Sequence, residues 1–177
     1  MSNTFIIAEA GVNHNGDINL AKKMIDVAYD AGVDAVKFQT WKTEKIVTRN
    51  AELAVYQENN ISDKTKSQFK MLKELELSYD NFEVVKNHCD EIGIQFLSTP
   101  DEIDSLDFLC NFNLPFIKLG SGDVTNIPFL RLVGSRHIDV VLSTGMSYLG
   151  DVEIAYRTLI EAGAKSVSLL HCTTNYP

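Results

Sequence analysis

The sequence has few of the residues that mark secreted, metal-stapled or fibrous proteins. It contains three cysteines, Cys89, Cys110 and Cys172, which are odd in number, far apart and without a Cys-x-x-Cys pair. This pattern favours neither a disulfide framework nor a zinc site. Only 4 prolines and 10 glycines occur among 177 residues, which excludes a collagen-like or low-complexity chain.

Long apolar runs and blocks of like charge are also missing. No run approaches the roughly 18 apolar residues of a membrane span, and the N-terminus lacks the basic and apolar regions of a secretion signal. We therefore expect a cytoplasmic protein that has no membrane partner. The 16 basic and 24 acidic residues give a net charge of −8 and leave no basic face, so nucleic acid is not expected as a partner either.

What the sequence does contain is a regular alternation of short apolar runs and helical stretches. Six runs rich in Ile, Val, Phe and Leu have the character of strands buried on both faces, and they cover 5–10, 35–39, 94–98, 116–119, 140–143 and 167–171. The intervening helices are predicted to begin at the N-caps Asp17, Asp80 and Asp151 and to end at Gly32, Gly93 and Gly163. This alternation predicts an α/β fold with parallel strands and right-handed crossovers.

The connection between the second and third strands is longer than the others. It covers 40–79, is polar, and carries a further helical stretch around 64–75. We interpret it as an insertion after the second strand. Insertions at this point of a βα unit commonly form lids or subunit contacts.

Each apolar run ends in polar residues at its C-terminal end. These ends meet at one face of a parallel sheet or barrel, which is where such folds place their active sites. Taken singly, each residue has an ordinary structural explanation, because buried hydroxyls bond to backbone and strand-end lysines are usually solvated. The residues concerned are Glu9, Lys37, Gln39, Ser98, Thr99, Lys118, Ser121, Ser143, Thr144, His171 and Thr173.

Two lysines stand inside apolar strands, Lys37 in AVKFQ and Lys118 in FIKLG. An unpaired ammonium there would cost several kcal/mol, so each needs an anion or a carboxylate beside it. The glycines of GSG at 120–122 and of STG at 143–145 let backbone approach a ligand closely. The two segments together predict a phosphate site built from adjacent strand ends.

Glu9 and Asp123 are the candidates for acid–base chemistry, since a carboxylate at an apolar strand end can have a raised pKa. A purely structural role for Glu9, pairing with Lys37 on the neighbouring strand, stays open. His14 lies in a turn, which it could cap, or it could face the strand ends. Cys172 is expected to point away from the strand ends and to pack, rather than to act as a nucleophile.

Six blocks of the sequence, in order, resemble the sialic acid synthase family, whose members make N-acetylneuraminate, legionaminate or pseudaminate. The blocks are IAEAGVNHNGD, VKFQT, FLSTP, IKLGSGD, LSTGM and LLHCTTNYP. The resemblance implies a (β/α)8 TIM barrel, which needs roughly 250 residues when complete. We therefore expect 1–177 to be the N-terminal portion of the synthase domain, with about six βα units and without the last two strands and the C-terminal antifreeze-like domain.

The resemblance also implies a reaction. The family condenses phosphoenolpyruvate with an N-acylated hexosamine, such as N-acetylmannosamine or a diacetamido hexose, to give a nine-carbon 2-keto sugar acid and phosphate. The resemblance further implies a homodimer and a divalent metal, Mn²⁺ or Mg²⁺, whose two histidine ligands would follow Pro177. No metal ligand is therefore assigned in this chain, and the chain alone is not expected to turn over.

The resemblance assigns residues to this reaction. Phosphoenolpyruvate would be bound by Lys37, Thr99, Lys118, Ser121 and Ser143. Glu9 and Gln39 would lie beside the sugar and the reacting carbons, and with Asp123 they make up the predicted catalytic set. Residues expected near the substrate are Asn13, His171, Thr174 and Tyr176, the last matching a family tyrosine.

Alternatives stay open at this point. Asp123 stands where many N-acetylneuraminate synthases have Glu, so the hexosamine is undecided. A second hypothesis is a class I aldolase in which Lys37 or Lys118 forms a Schiff base with a keto acid. A third is a non-catalytic barrel fragment that only binds a ligand or partner.

Overall fold

The computed structural model describes residues 4–51 and 67–174. The chain forms two compact units, Met1–Phe96 and Leu97–Pro177, called here the N-terminal and C-terminal units. The division between them falls inside the third strand. Both units have the predicted α/β architecture, in which short parallel strands alternate with helices.

The N-terminal unit contains the first strands and the insertion. Its sheet has the strand order β1-β2-β3, formed by β1 (Ile7–Gly11), β2 (Ala35–Thr40) and the start of β3 (Gln95–Pro100). The helices are α1 (Ile18–Asp30), α2 (Thr43–Ile46), α3 (Gln68–Leu75) and α4 (Tyr79–Ile92). The rings of Phe38, Phe82 and Phe96 pack against one another with centroids 5.9 to 6.5 Å apart, and they form the centre of this core.

A β-bulge interrupts the pairing of β1 with β2. Glu9 lies opposite Lys37 and Gly11 opposite Phe38, so Ala10 is the extra residue. Gly11 has a φ of +53°, a value that glycine adopts without strain. Bulges of this kind bend a strand and redirect the side chains next to it, and they are common beside active sites.

The C-terminal unit contains the remaining strands. Its sheet has the order β4-β5-β6, all parallel, with β4 at Ile117–Leu119, β5 at Asp139–Ser143 and β6 at Ser166–Leu170. The helices are α5 (Ile103–Cys110), α6 (Ile127–Gly134) and α7 (Leu149–Ala162), and a single 3₁₀ turn covers Ser121–Asp123. At Gly134 α6 meets α7 so closely that a Cβ would stand 2.6 Å from Leu159 O.

Within this unit β6 lies at the edge of the sheet. Leu142 in the neighbouring β5 is fully buried, whereas Leu169 and Leu170 in β6 are 44% and 40% exposed. A parallel strand is normally covered on both faces. In the part of the chain that the structure describes, β6 has no such cover, and its apolar side chains are in contact with solvent.

The six predicted strands are all confirmed, and each observed boundary lies within two residues of the predicted one. Asp17 is confirmed as the N-cap of α1, where its carboxylate accepts from the N–H groups of Asn19 and Leu20. Gly93 and Gly163 end their helices in the left-handed conformation, as predicted. The predicted helix around 64–75 is observed from Gln68 onward, and its first residues lie outside the described part of the chain.

Two predicted N-caps are wrong. Ser78 caps α4 by accepting from the N–H of Asn81, and Asp80 lies in the first turn instead. Tyr148 is the N-cap of α7, and the Asp151 carboxylate accepts from the Tyr148 N–H at 3.0 Å. In each case the carboxylate lies in the first turn, where it stabilises the helix through the dipole.

None of the helices in residues 4–51 and 67–174 is long and apolar enough to cross a membrane.

Candidate active site

In the N-terminal unit, Glu9 and Lys37 form an ion pair. The parallel register places them side by side in the middle of β1 and β2, with Lys37 Nζ 2.6 Å from Glu9 Oε2. The lysine side chain is only 8% exposed, whereas that of Glu9 is 55% exposed. The structural pairing left open for Glu9 is therefore present. An ammonium held in an apolar strand and partnered by a half-exposed carboxylate is also well placed to receive an anionic ligand.

The turn after β1 places the other residues predicted around Glu9. Asn13 is exposed, and its N–H bonds to Ala10 O at 3.1 Å. Gln39, at the end of β2, is partly buried. His14 is fully buried and acts within the turn, where its Nδ1 accepts from the Gly16 N–H at 3.1 Å.

His14 therefore has a structural role in the turn. Its ring lies 6.0 Å from that of Phe38, and its Nε2 has no hydrogen-bond partner in the described part of the chain. Burial lowers the pKa of His14, because the charged imidazolium would lose its hydration. Since Nδ1 is an acceptor, the neutral ring carries its proton on Nε2.

In the C-terminal unit, four residues form what we call the hydroxyl cradle: Lys118, Ser121, Ser143 and Gly145. Lys118 is only 7% exposed, and its Nζ donates to Ser143 Oγ and to Leu119 O, both at 2.6 Å. The N–H of Gly145 donates to Ser121 Oγ at 2.9 Å. The structure thus brings together three of the five residues predicted to bind phosphoenolpyruvate.

The hydrogen bonds of the cradle leave its two serine protons for other acceptors. Each serine oxygen already accepts from a nitrogen, either the Lys118 ammonium or the Gly145 N–H. A hydroxyl has a single proton, and a hydroxyl that accepts a hydrogen bond from a nitrogen does not donate its own proton to that nitrogen. Two hydroxyl donors beside a buried ammonium suit the oxygens of a phosphate or a carboxylate.

Asp123 lies in the 3₁₀ turn next to the cradle. Burial raises the pKa of its carboxyl to about 6, although hydrogen bonds from Asn126 and the Gly120 backbone and the charge of Lys118 act in the opposite direction. A carboxyl with a pKa near 6 exchanges protons readily near neutral pH. The catalytic role of Asp123 stays a prediction.

The expectation that Cys172 points away from the strand ends is wrong. Its Sγ lies 3.3 Å from Ser121 Oγ, so the side chain contacts the cradle. Side chains alternate strictly only within a strand, whereas β6 stops at Leu170 and the backbone that follows is irregular. Sequence alone gives no signal for this contact, because it joins residues 51 positions apart.

A cavity of about 580 Å³ opens beside Cys172, and its lining also includes Thr144 and His171. His171 is exposed, one residue beyond the end of β6. The rim carries three highly exposed apolar side chains, Met146, Tyr148 and Leu149. The prediction that His171 lies near a binding site is compatible with this cavity and stays a prediction.

The remaining predicted residues are placed as follows. Thr99 is buried near the end of β3, within the C-terminal unit. Thr174 has a φ of +54° and packs against the backbone of Gly145. Tyr176 lies outside the described residues.

No group of three His, Cys, Asp or Glu side chains in residues 4–51 and 67–174 is arranged to hold a metal ion. The residues described here therefore do not fit a metal site.

Comparison with known proteins identifies the family. A sequence profile of the NeuB family matches residues 24–177. The chain belongs to the NeuB family. It is 44% identical to the N,N'-diacetyllegionaminic acid synthase of Campylobacter jejuni, over all of this chain and 53% of that protein. It is 43% identical to the enzyme of the same name from Legionella pneumophila, over 98% of this chain and 49% of that protein.

A solved structure of this NeuB-type fold is also similar. The N-acetylneuraminic acid synthetase of Leptospira borgpetersenii, crystallised with citrate, superposes with a TM-score of 0.82 at 30% identity, over 99% of this chain and 56% of that one. The predicted resemblance and the sialic acid synthase barrel fold are thereby confirmed. This NeuB-family chain spans about half the length of the curated relatives it matches.

Proposed function

We propose that this chain carries the phosphoenolpyruvate-binding part of a synthase that joins phosphoenolpyruvate to an N-acylated hexosamine. The observation that carries the proposal is the hydroxyl cradle. Its two serine protons and the buried ammonium of Lys118 form a compact set of donors whose natural ligand is an oxyanion. Phosphoenolpyruvate carries two oxyanions, a phosphate and a carboxylate.

The second oxyanion is assigned to Lys37. Thr99 is proposed as a further phosphoenolpyruvate contact, and Gln39 is proposed to lie beside the sugar and the reacting carbons. Lys37 already faces a carboxylate, that of Glu9, at 2.6 Å. A carboxylate ligand would take up part of the charge of Lys37 and release Glu9 toward the reacting carbons. Glu9 is more than half exposed, so it can move at little energetic cost.

The chemistry follows from the charges. C3 of phosphoenolpyruvate forms a bond to the aldehyde carbon of the open sugar, and the aldehyde oxygen gains a proton. The electron pair for that bond comes from the C2–C3 double bond, so C2 becomes cationic and is captured by water. The C2–O bond to phosphate then breaks, which leaves a 2-keto acid and inorganic phosphate.

Two carboxyls are assigned to the proton transfers. Glu9 would stabilise the cation at C2 and take a proton from the attacking water. Asp123, whose pKa is raised to about 6 by burial, would give a proton to the sugar oxygen. Asn13, His171, Thr174 and Tyr176 are proposed to contact the sugar.

For the sugar we propose a diacetamido hexose rather than N-acetylmannosamine. The support is the similarity to two N,N'-diacetyllegionaminic acid synthases at 43–44% identity. We further propose that the complete enzyme is a cytoplasmic homodimer that uses Mn²⁺ or Mg²⁺.

The proposal is tested by calorimetric titration of this chain with phosphoenolpyruvate. Lys118→Ala should weaken binding by about 10- to 100-fold, the effect of losing charge-assisted hydrogen bonds. Lys165→Ala is the matched control, because Lys165 is an exposed lysine of the same unit that precedes β6. Equal affinities for the two variants would contradict the proposal.

The aldolase hypothesis is tested by borohydride reduction in the presence of pyruvate. A Schiff base needs a neutral amine, whereas Lys118 donates two hydrogen bonds from its ammonium and Lys37 is paired with Glu9. We expect no stable lysine adduct by mass spectrometry. An adduct on either lysine would favour the aldolase.

A further inference from the structure

The sulfur of Cys172 lies beside the hydroxyls of the cradle. It is 3.3 Å from Ser121 Oγ, and the Ser143 hydroxyl and the backbone of Thr144 and Gly145 help to lower the pKa of the thiol. The N–H groups of Thr144 and Gly145 already donate to Leu170 O and to Ser121 Oγ, so the two hydroxyls are the donors that remain for the sulfur. Nothing in the reaction derived above uses this sulfur.

The direction of each hydrogen bond follows from counting protons. Ser121 Oγ accepts from the Gly145 N–H, and Ser143 Oγ accepts from Lys118 Nζ. The thiol of Cys172 directs its own proton to Leu170 O, at 3.8 Å. The sulfur lone pairs are therefore available as acceptors for the two serine hydroxyls, and the Ser121–Cys172 contact fits a bond in which Ser121 donates.

We propose that Cys172 is a positioning residue of the anion site, whose sulfur holds the Ser121 and Ser143 hydroxyls in the donating orientation and gives up these donors when a phosphate group binds. The inference rests on the proposed function, because it assigns the cradle to phosphate. It adds a consequence: a thiolate at Cys172 and a bound phosphate compete for the same donors and repel each other. The two states exclude one another.

The electrostatics of the site support this competition. Burial opposes ionisation of Cys172 and is the largest single effect, but the hydrogen bonds from Ser121, Ser143 and the backbone together outweigh it and lower the pKa of the thiol. An environment that stabilises a thiolate is one that stabilises anions. The titratable groups nearby are Lys118 and Asp123 beside β4, His171 after β6 and Tyr148 in the loop before α7, while β5 carries only Asp139 at its opposite end.

The other two cysteines provide internal controls. Burial raises the pKa of Cys89 to about 12, and it raises the pKa of Cys110 as well. Cys172 borders the open cavity and is partly exposed, so a small alkylating reagent can reach it. One labelling reaction therefore reports on all three thiols of the same chain.

The experiment measures the alkylation of each cysteine by iodoacetamide, using peptide mass spectrometry on the full chain. Inorganic phosphate is titrated at constant ionic strength, and its binding is measured independently by calorimetry. We expect saturating phosphate to slow alkylation of Cys172 at least fivefold, with half the effect at the calorimetric Kd, and to leave Cys110 unchanged.

A second measurement gives a readout that packing alone would not move. Cys172→Ser keeps the acceptor but does not ionise in the accessible range. Between pH 6.5 and 9.5 we expect the phosphate Kd of the wild-type chain to rise at least tenfold relative to that of Cys172→Ser. The ionisation of phosphate itself cancels in this ratio.

The outcomes separate the inference from the function on which it rests. If phosphate binds but neither the alkylation rate of Cys172 nor the Kd ratio changes, the role of Cys172 is refuted and the anion site stands. If phosphate does not bind by calorimetry, the proposed function fails and the inference fails with it.

Discussion

Ser121 Oγ lies 3.0 Å from the point at which a Cβ on Gly145 would stand. The same Cβ would collide with the hydroxyl of Thr174. Gly145 is buried, and its N–H holds Ser121 in the cradle. The absence of a side chain at this position is therefore a requirement of the hydroxyl cradle.

Gly145→Ala should weaken phosphoenolpyruvate binding by at least tenfold, because Ser121 and Thr174 must both move away. Calorimetric titration measures the loss. Gly150→Ala is the matched control, since Gly150 lies in the first turn of α7 with no atom within 4 Å of its added Cβ. That control should bind normally and gain up to about 1 kcal/mol of stability from helix propensity.

Lys37→Met should reduce phosphoenolpyruvate affinity at least tenfold while changing the free energy of unfolding by less than about 1 kcal/mol. Methionine preserves much of the apolar stem, and Glu9 is exposed enough to be hydrated once its partner is gone. Urea denaturation and calorimetry give the two numbers. A large loss of stability with unchanged affinity would show that the Glu9–Lys37 pair is structural only.

Asp123→Asn should become increasingly stabilising, relative to the wild-type chain, as the pH rises from about 4 to 6. The pKa of Asp123 is raised from 3.8 to about 6, mainly by burial. Over this interval the unfolded chain has lost the proton while the folded chain still holds it, so rising pH favours unfolding. Urea midpoints of both proteins at pH 4, 5, 6 and 8 measure the difference, and a difference independent of pH would contradict the assignment.

His14 gives the opposite dependence. Because burial lowers its pKa below 6.5, the unfolded chain binds a proton before the folded chain does as the pH falls. Stability should therefore decline below pH 6.5. His14→Asn, whose side chain can still accept from the Gly16 N–H, should be less stable at neutral pH but should show a flatter decline between pH 6.5 and 5. Parallel curves for the two proteins would exclude His14 as the cause.

Much of this arrangement follows from local sequence patterns. The strands are predictable because AVKFQ and FIKLG are apolar runs of strand length, and the cradle residues because parallel strands present their C-terminal ends at one face. The buried lysines are informative for the same reason, since a charge within an apolar run needs a partner. These signals depend only on residues close together in the chain.

The features that sequence reasoning missed depend on contacts or on backbone geometry. The bulge at Ala10 follows from the pairing of β1 with β2, and the place of Cys172 follows from a contact with Ser121, which is distant in sequence. Ser78 and Tyr148 were missed as N-caps because nearby carboxylates gave a stronger pattern. The pairing of Glu9 with Lys37 is predictable as an alternative, because it depends only on the register of two adjacent strands.

The exposure of β6 has a consequence for handling the protein. Leu169 and Leu170 lie on an edge strand, whose backbone groups can template hydrogen bonding with a strand from another molecule. Edge-to-edge association of this kind has a rate that rises with the square of concentration, whereas folding does not depend on concentration. Association therefore competes with folding when the chain is diluted from denaturant. The yield of folded chain should rise as the protein concentration is lowered.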